Sequence, residues 1–327
     1  MRAPLIFNDL SIQKAATQRI AQDWFSEMIK TIADLIDEDV CEKTLHSKLE
    51  LYDIDLINNN YGFQEWLNDV RIIDRELYEF ALQLISQSPA YACLKSQQAL
   101  NDEYLRSEFN LTGTNIKCEA LGVALLSDGI AISLPSRQDW RVDSIDIEQL
   151  LYDEIDENLD FPNRSLHHVR HASQANHVDN VIQHWRHELL GQINNTQKLL
   201  DYWNTVFPNL DKSTENTLDE LQGETFDSVI TRLRQLNNTC IEWKSNNTNQ
   251  PTYPMHARPE SKQTMQNKIL ADKRLSTCPN QGLKHFEMHC DIQPSGFRLY
   301  WLENQQQKRI TIGYIGPHLP TANFKAQ

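Results

Sequence analysis

Near the end of this 327-residue chain stand six side chains of the types that move protons around a phosphate: His285, Glu287, His289, Arg298, Tyr300 and His318. In acid-base cleavage of RNA, a carboxylate or imidazole takes the proton of the ribose 2'-OH. A guanidinium offsets the charge growing on the phosphate, and a second imidazole or a phenol protonates the leaving oxygen. Such chemistry calls for no metal and no cofactor, and none is expected. Lys268, Lys273, Arg274, Lys284 and His285 are candidates for holding the phosphate backbone in a salt-dependent way. Two other readings stay open. His285-Phe-Glu287-Met-His289 has the makings of a metal cluster, although a third ligand at suitable spacing is not evident. Any half-exposed sheet also carries a polar face, so the same residues fit a solvated or interaction surface.

The elements that would position these residues are legible as a change of period. In residues 283–292, alternation sends Phe286, Met288 and Cys290 to one side and His285, Glu287 and His289 to the other. Ser295 and Gly296 turn the chain. Residues 297–302 place Phe297, Leu299 and Trp301 opposite Arg298 and Tyr300, and residues 309–315 set Ile310 and Ile312 opposite Thr311 and Gly313. An antiparallel meander of these three strands aligns the polar faces. Residues 260–275, with Lys262, Lys268, Lys273 and Arg274, read as a basic helix ahead of it.

On these residues the C-terminal quarter resembles the RelE/ParE toxin superfamily. The shared order is a basic helix, a strand, Gly-Phe-Arg-Leu-Tyr at 296–300, then 310–316 with His318 just after. The resemblance implies a small α/β module in which Arg298 and His318 act at the scissile phosphate of RNA, free or on the ribosome. It leaves the base open between Glu287 and His289. ParE-type members share the fold and act on gyrase without cleaving RNA.

The rest of the chain is of another texture. Residues 1–250 hold 21 Lys and Arg against 40 Asp and Glu, and residues 251–327 hold 10 against 5, so the sign of charge changes along a chain of net charge -14. Such asymmetry points to an anionic partner for the tail, nucleic acid or protein, or to a tail that docks on its own acidic body. Amphipathic helices are expected over 11–37, with Ser11 as N-cap, and over 62–88, ended by Pro89. Cys118 to Leu126 and Ile130 to Leu134 flank Ser-Asp-Gly at 127–129, the signal of a β-hairpin, with a third strand over 140–147. Further helices are expected over 177–206 and 216–236, broken by Pro208.

Six scattered cysteines argue against a disulfide framework or a zinc ribbon. The acidic run from Asp146 to Asp160 lacks the order of an EF-hand loop. His167, His168, His171, His177, His184 and His187 form pairs that share a face on a helix, without the Glu of an H-E-x-x-H pattern, and a titrating surface group accounts for them better than a metal site. No run of signal-peptide or membrane-span character is seen, which points to a cytoplasmic chain with no membrane partner.

The expectation is therefore an α+β chain. Residues 1–242 form an acidic, mainly helical body with a small sheet at about 118–147, residues 243–259 a polar, proline-rich linker, and residues 260–327 a basic helix plus three-stranded antiparallel module. Two functions fit. One is a bacterial toxin or phage-defence effector with a metal-independent, RelE-like ribonuclease module restrained or targeted by the body. The other is a non-enzymatic subunit that binds nucleic acid or protein through the basic module.

Overall fold

The structure is a computed structural model that describes residues 2–38, 41–58, 61–69, 73, 75–86, 98–152, 162–213, 221–279, 281–293 and 295–323. The chain is α+β, and it divides into two units, Met1–His187 and Glu188–Gln327.

The first unit is built on a six-stranded sheet. Its elements in order are β1 (Ala3–Phe7), α1 (Gln18–Asp37), β2 (Cys41–His46), β3 (Asp55–Ile57), β4 (Tyr61–Gly62), α2 (Phe63–Leu67), α3 (Arg75–Ser86), α4 (Gln98–Leu105), β5 (Ser107–Leu111), α5 (Glu119–Leu126), β6 (Ile130–Ile132), β7 (Ser144–Leu151) and β8 (Asn163–Ala172). The sheet order is β2-β1-β6-β8-β7-β5. β1, β2, β6 and β8 run parallel, and β7 and β5 add antiparallel at one side. β1 is buried at all five positions, as a central parallel strand covered on both faces must be. α1 turns Ala21, Phe25, Met28, Ile29, Ile32, Leu35 and Ile36 inward at steps of three and four, and Phe25 meets Phe63 edge-on with ring centroids 5.3 Å apart.

Several expectations for this region are corrected. The sheet of the body is not a small hairpin sheet but has six strands. α1 begins at Gln18, capped by Thr17, whose hydroxyl accepts from the Ile20 N–H at 3.3 Å; Ser11 is instead buried in a 3-10 turn, Asp9–Ser11. The second helix is two, α2 and α3. Val70 and Pro89, and the acidic residues from Asp153 to Asp160, lie outside the described residues. The apolar run before Asp-Gly is the helix α5, not a strand. Asp128 takes a left-handed conformation (φ 53°) and the Gly129 N–H donates to the Ala124 carbonyl at 2.8 Å, so the tripeptide closes a helix rather than a hairpin. The strand expected at 140–147 is β7, displaced toward the C-terminus.

A helix, α6 (Val178–Gln192), runs through the division. The second unit continues with α7 (Thr196–Val206), β9 (Leu210–Lys212), α8 (Gly223–Asn246), β10 (Arg258–Pro259), α9 (Lys262–Gln266), α10 (Lys268–Asp272), β11 (Leu275–Cys278), β12 (Gly282–His285), β13 (Met288–Ile292), β14 (Phe297–Asn304) and β15 (Arg309–Pro317). The expected meander is present as β13-β14-β15 inside a five-stranded sheet of order β10-β13-β14-β15-β9, in which β9 pairs parallel to β15. One face meets α8, whose inward residues include Phe226, Val229, Leu233, Leu236 and Cys240. The cross-strand pairs Cys290 with Leu299 and Trp301 with Ile312 lie on that face. Burying each such side chain contributes about 1.5–3 kcal/mol.

The boundary expected at 243–259 is corrected accordingly. Trp243 is buried in α8, and its indole N–H donates to the Thr248 carbonyl at 2.9 Å. The Tyr253 hydroxyl donates to Glu303 at 2.6 Å and accepts from the Trp301 indole at 3.0 Å, so the proline-rich segment is fastened to the sheet. The single basic helix is two five-residue helices, α9 and α10. The strand expected over 283–292 breaks at Phe286 and Glu287 into β12, which among the described residues pairs only with β11, and β13. Residues expected to be one helix over 177–206 form α6 and α7. Of the helix expected over 216–236, residues 216–220 lie outside the described residues, and α8 runs on to Asn246.

Candidate functional site

The face of the second sheet opposite α8 gathers the polar side chains. Antiparallel register sets His289 beside Tyr300 and Asp291 beside Arg298, and places Tyr314 and Gly316 next to Tyr300 and Arg298 on β15. The His289 ring stacks on Tyr300 with centroids 5.0 Å apart, and the Arg274 guanidinium lies 5.6 Å from the same ring's centre. His289, Tyr300 and Arg298 thus do converge, as alternation implied.

Two carboxylates that the sequence reading missed organise this face. Glu260, just after β10, accepts at Oε1 from the Ser261 N–H at 3.0 Å and at Oε2 from Arg274 Nε at 2.8 Å. Arg274 Nη2 lies 2.6 Å from the same Oε2, close enough for an ion pair but not aligned as a hydrogen bond, while Nη1 donates to the Leu270 carbonyl at 2.8 Å. The Tyr300 hydroxyl also donates to Glu260, at 3.4 Å. Asp291 accepts from Arg298 Nε at 2.8 Å and from Arg258 Nη2 at 2.9 Å. Asp291 was open to discovery, since it lies two residues beyond His289 on one strand. Glu260 was not, because only the folded chain brings it to Arg274.

The electrostatics follow from these contacts. Burial pushes the Glu260 carboxyl up, but the Ser261 N–H and the Arg274 guanidinium outweigh it and hold the group below the usual carboxylate range. Asp291 is treated alike: burial raises it, and Arg258 and Arg298 bring it down. Burial lowers the His289 pKa, the Glu287 carbonyl that accepts from its Nδ1 at 3.2 Å opposes this, and the Arg298 charge lowers it further. His289 is therefore a neutral imidazole at pH 7, with its Nε2 unpaired among the described residues. Burial raises the Tyr300 phenol, which stays protonated.

This face is nevertheless largely closed. Tyr300 is 0%, His289 2% and Arg274 3% exposed. Arg274, expected to reach for phosphate, turns inward. The other expected residues are scattered. His285 sits on β12 with its Nε2 buried and unpaired, and Glu287 is exposed and offers only its carbonyl to this cluster. His318 follows β15 two residues beyond the partner of Arg298, with Nδ1 donating to the Leu319 carbonyl at 2.6 Å. Lys268, Lys273 and Lys284 are exposed, as is Lys262. Open cavities of about 220 and 410 Å³ are lined by α8 and the turns beside its two ends, not by these residues.

The histidine group of the first unit divides by burial. His167 and His171 lie on the strand β8, not on a helix. His171 is wholly buried: Nδ1 donates to the Val142 carbonyl at 2.7 Å, Nε2 accepts from the Ser133 hydroxyl at 2.7 Å, and Ser133 accepts from Asn8 Nδ2 at 3.0 Å. This relay ties the ends of β1, β6 and β8. His177 is buried and accepts at Nδ1 from the Ser173 N–H at 3.3 Å, whereas His168, His184 and His187 are exposed. Among the described residues no three of His, Cys, Asp and Glu come together as a metal-binding group, and no helix is long and apolar enough to cross a membrane. No family model, no curated protein and no solved structure matches this chain.

Proposed function

We propose that the second unit is a non-catalytic interaction module that binds a polyanionic partner through the lysines of α9, α10 and the β11-β12 hairpin. The observation that carries this reading is the contrast in exposure. Of the groups with RNA-cleaving chemistry, His289 and Tyr300 are enclosed, Arg298 is tied to Asp291, and His285, Glu287 and His318 stand apart from them, while Lys262, Lys268, Lys273 and Lys284 stand in solvent within one short stretch of chain. Ammonium groups in that position attract phosphate or carboxylate at a distance and lose the attraction as salt rises.

Binding of the full chain to labelled polyuridylate and polyglutamate tests it. Affinity for a polyanion is expected to fall by tens of fold between about 50 and about 300 mM salt, and the Lys268→Glu, Lys273→Glu, Lys284→Glu triple variant should abolish most of the low-salt binding. Absence of binding by the unmodified chain at low salt overturns the reading.

The RelE-like ribonuclease remains a second reading, favoured by one observation: a neutral His289 next to Arg298 is the pairing of base and guanidinium that 2'-OH attack requires. In it Arg298 steadies the phosphate, His318 protonates the leaving oxygen, and the chain acts as a toxin or defence effector on RNA. The same preparations decide between the two. RNA shortened by the unmodified chain without divalent metal, and left whole by the Arg298→Ala, His318→Ala variant, supports cleavage; intact RNA in both removes it.

A further inference from the structure

The β11-β12 hairpin leaves a strand edge open. β12 pairs with β11 from Cys278 opposite Gly282 to Leu275 opposite His285, and these two strands form a sheet of their own. Gly282, Leu283 and Lys284 are all exposed. Among the described residues the other edge of β12 has no backbone partner, so its N–H and C=O groups are available to a further strand.

The side chains of this edge and of the stretch of chain before it have a definite chemistry. Leu283, on β12, is 58% exposed, and Ile269, on α10 just before the hairpin in the chain, is 74% exposed. Lys284 lies on the edge strand itself, Lys268 begins α10, and Lys273 follows it. The exposed large hydrophobic residues described in this unit are Ile241, Ile269 and Leu283, all aliphatic. Single-stranded nucleic acid is held by stacking its bases on aromatic rings as well as by charge, and among the described residues of this unit no aromatic ring is among the exposed large side chains. Exposed aliphatic side chains among lysines instead complement a segment that carries both carboxylates and aliphatic side chains.

We propose that the open edge of β12 docks an extended acidic and aliphatic segment of a partner protein as an added β-strand. The backbone ladder gives the affinity. A carboxylate facing Lys284 selects the partner by charge, and an aliphatic side chain covers Leu283. Lys284 also bars the simplest competitor, because pairing two copies of this edge brings like charges together, whereas an acidic strand relieves that repulsion. This inference rests on the polyanion-binding reading and specifies which polyanion.

The test uses the full chain and two labelled probes of equal charge, a peptide of about ten residues alternating glutamate and valine, and an oligouridylate. The peptide is expected to bind more tightly. N-methylation of alternate peptide nitrogens, which leaves charge and side chains in place but removes the ladder, should weaken it about tenfold or more. Leu283→Ser, at an exposed position, should weaken it severalfold with the circular dichroism unchanged. Equal affinity of the methylated and unmethylated peptides overturns strand addition. Binding of oligouridylate alone overturns the protein partner and leaves the polyanion reading intact, while failure of both probes at low salt removes that reading as well.

Discussion

His171 has every polar atom committed. Its Nδ1 proton goes to the Val142 carbonyl and its Nε2 lone pair takes the Ser133 proton, so a second ring proton has nowhere to go without reversing the relay to Asn8. Burial, partly offset by the Val142 carbonyl, pushes its pKa down to about 4 from 6.5; nearby His177 lowers it and Asp143 raises it. A base whose pKa is depressed by folding favours the unfolded chain in acid. Stability from this group is complete above about pH 6.5, falls as pH drops toward about 4, and is level below. At about pH 5 the loss is about 2 kcal/mol. Urea midpoints measured near neutrality and near pH 5 should therefore converge for the unmodified chain and His171→Gln, because only the former carries this loss. An unchanged gap between the two would disprove the assignment. His177, whose pKa burial also lowers, is the nearest other titratable ring and stays common to both forms.

At the scale of the element, α5 shows how close backbones can decide a fold. A Cβ placed on Gly122 would lie 2.2 Å from the Phe109 ring of β5, so helix and strand meet at a distance only glycine permits. Gly122→Ala should lower the melting temperature, with overpacking of about 1–3 kcal/mol exceeding the helix-propensity gain of about 1 kcal/mol. Phe109→Leu in the same chain should recover part of the loss, and an unchanged or higher melting temperature for the single variant would contradict this packing. The same helix marks a limit of sequence reading. Ala120 to Ala124 are all buried, so no amphipathic period distinguishes α5 from a buried strand, and Asp-Gly then weighs toward a hairpin. β14 was legible for the opposite reason: Arg298 and Tyr300 alternate with Phe297, Leu299 and Trp301, although Tyr300 joins a second apolar cluster with Cys278 and Phe286. The pairing of Glu260 with Arg274 carries no local signature, and neither does the parallel addition of β9 to β15.

For the whole molecule, the division at His187 and Glu188 redraws the balance of charge. Residues 1–187 hold 16 Lys and Arg against 31 Asp and Glu, and residues 188–327 hold 15 against 14. The tail that looks basic in sequence belongs to a nearly neutral unit, so attraction to an anion is a property of a lysine patch and not of the unit's net field. Each unit has its own buried core, and unfolding in urea should depart from a single two-state transition, with fluorescence and far-ultraviolet dichroism giving different midpoints. Coincident curves would show instead that the units unfold as one. The topology of the first unit also sets an order of events during synthesis. β1 emerges well before β6, for which one of its edges waits, and the neighbour of β6 is complete only at Ala172. At translation speeds of about 5–20 residues per second, five apolar residues destined for the centre of a sheet stay uncovered for on the order of ten seconds. The nascent chain, more than the finished protein, is thus where this fold is most open to mispairing and to capture by chaperones.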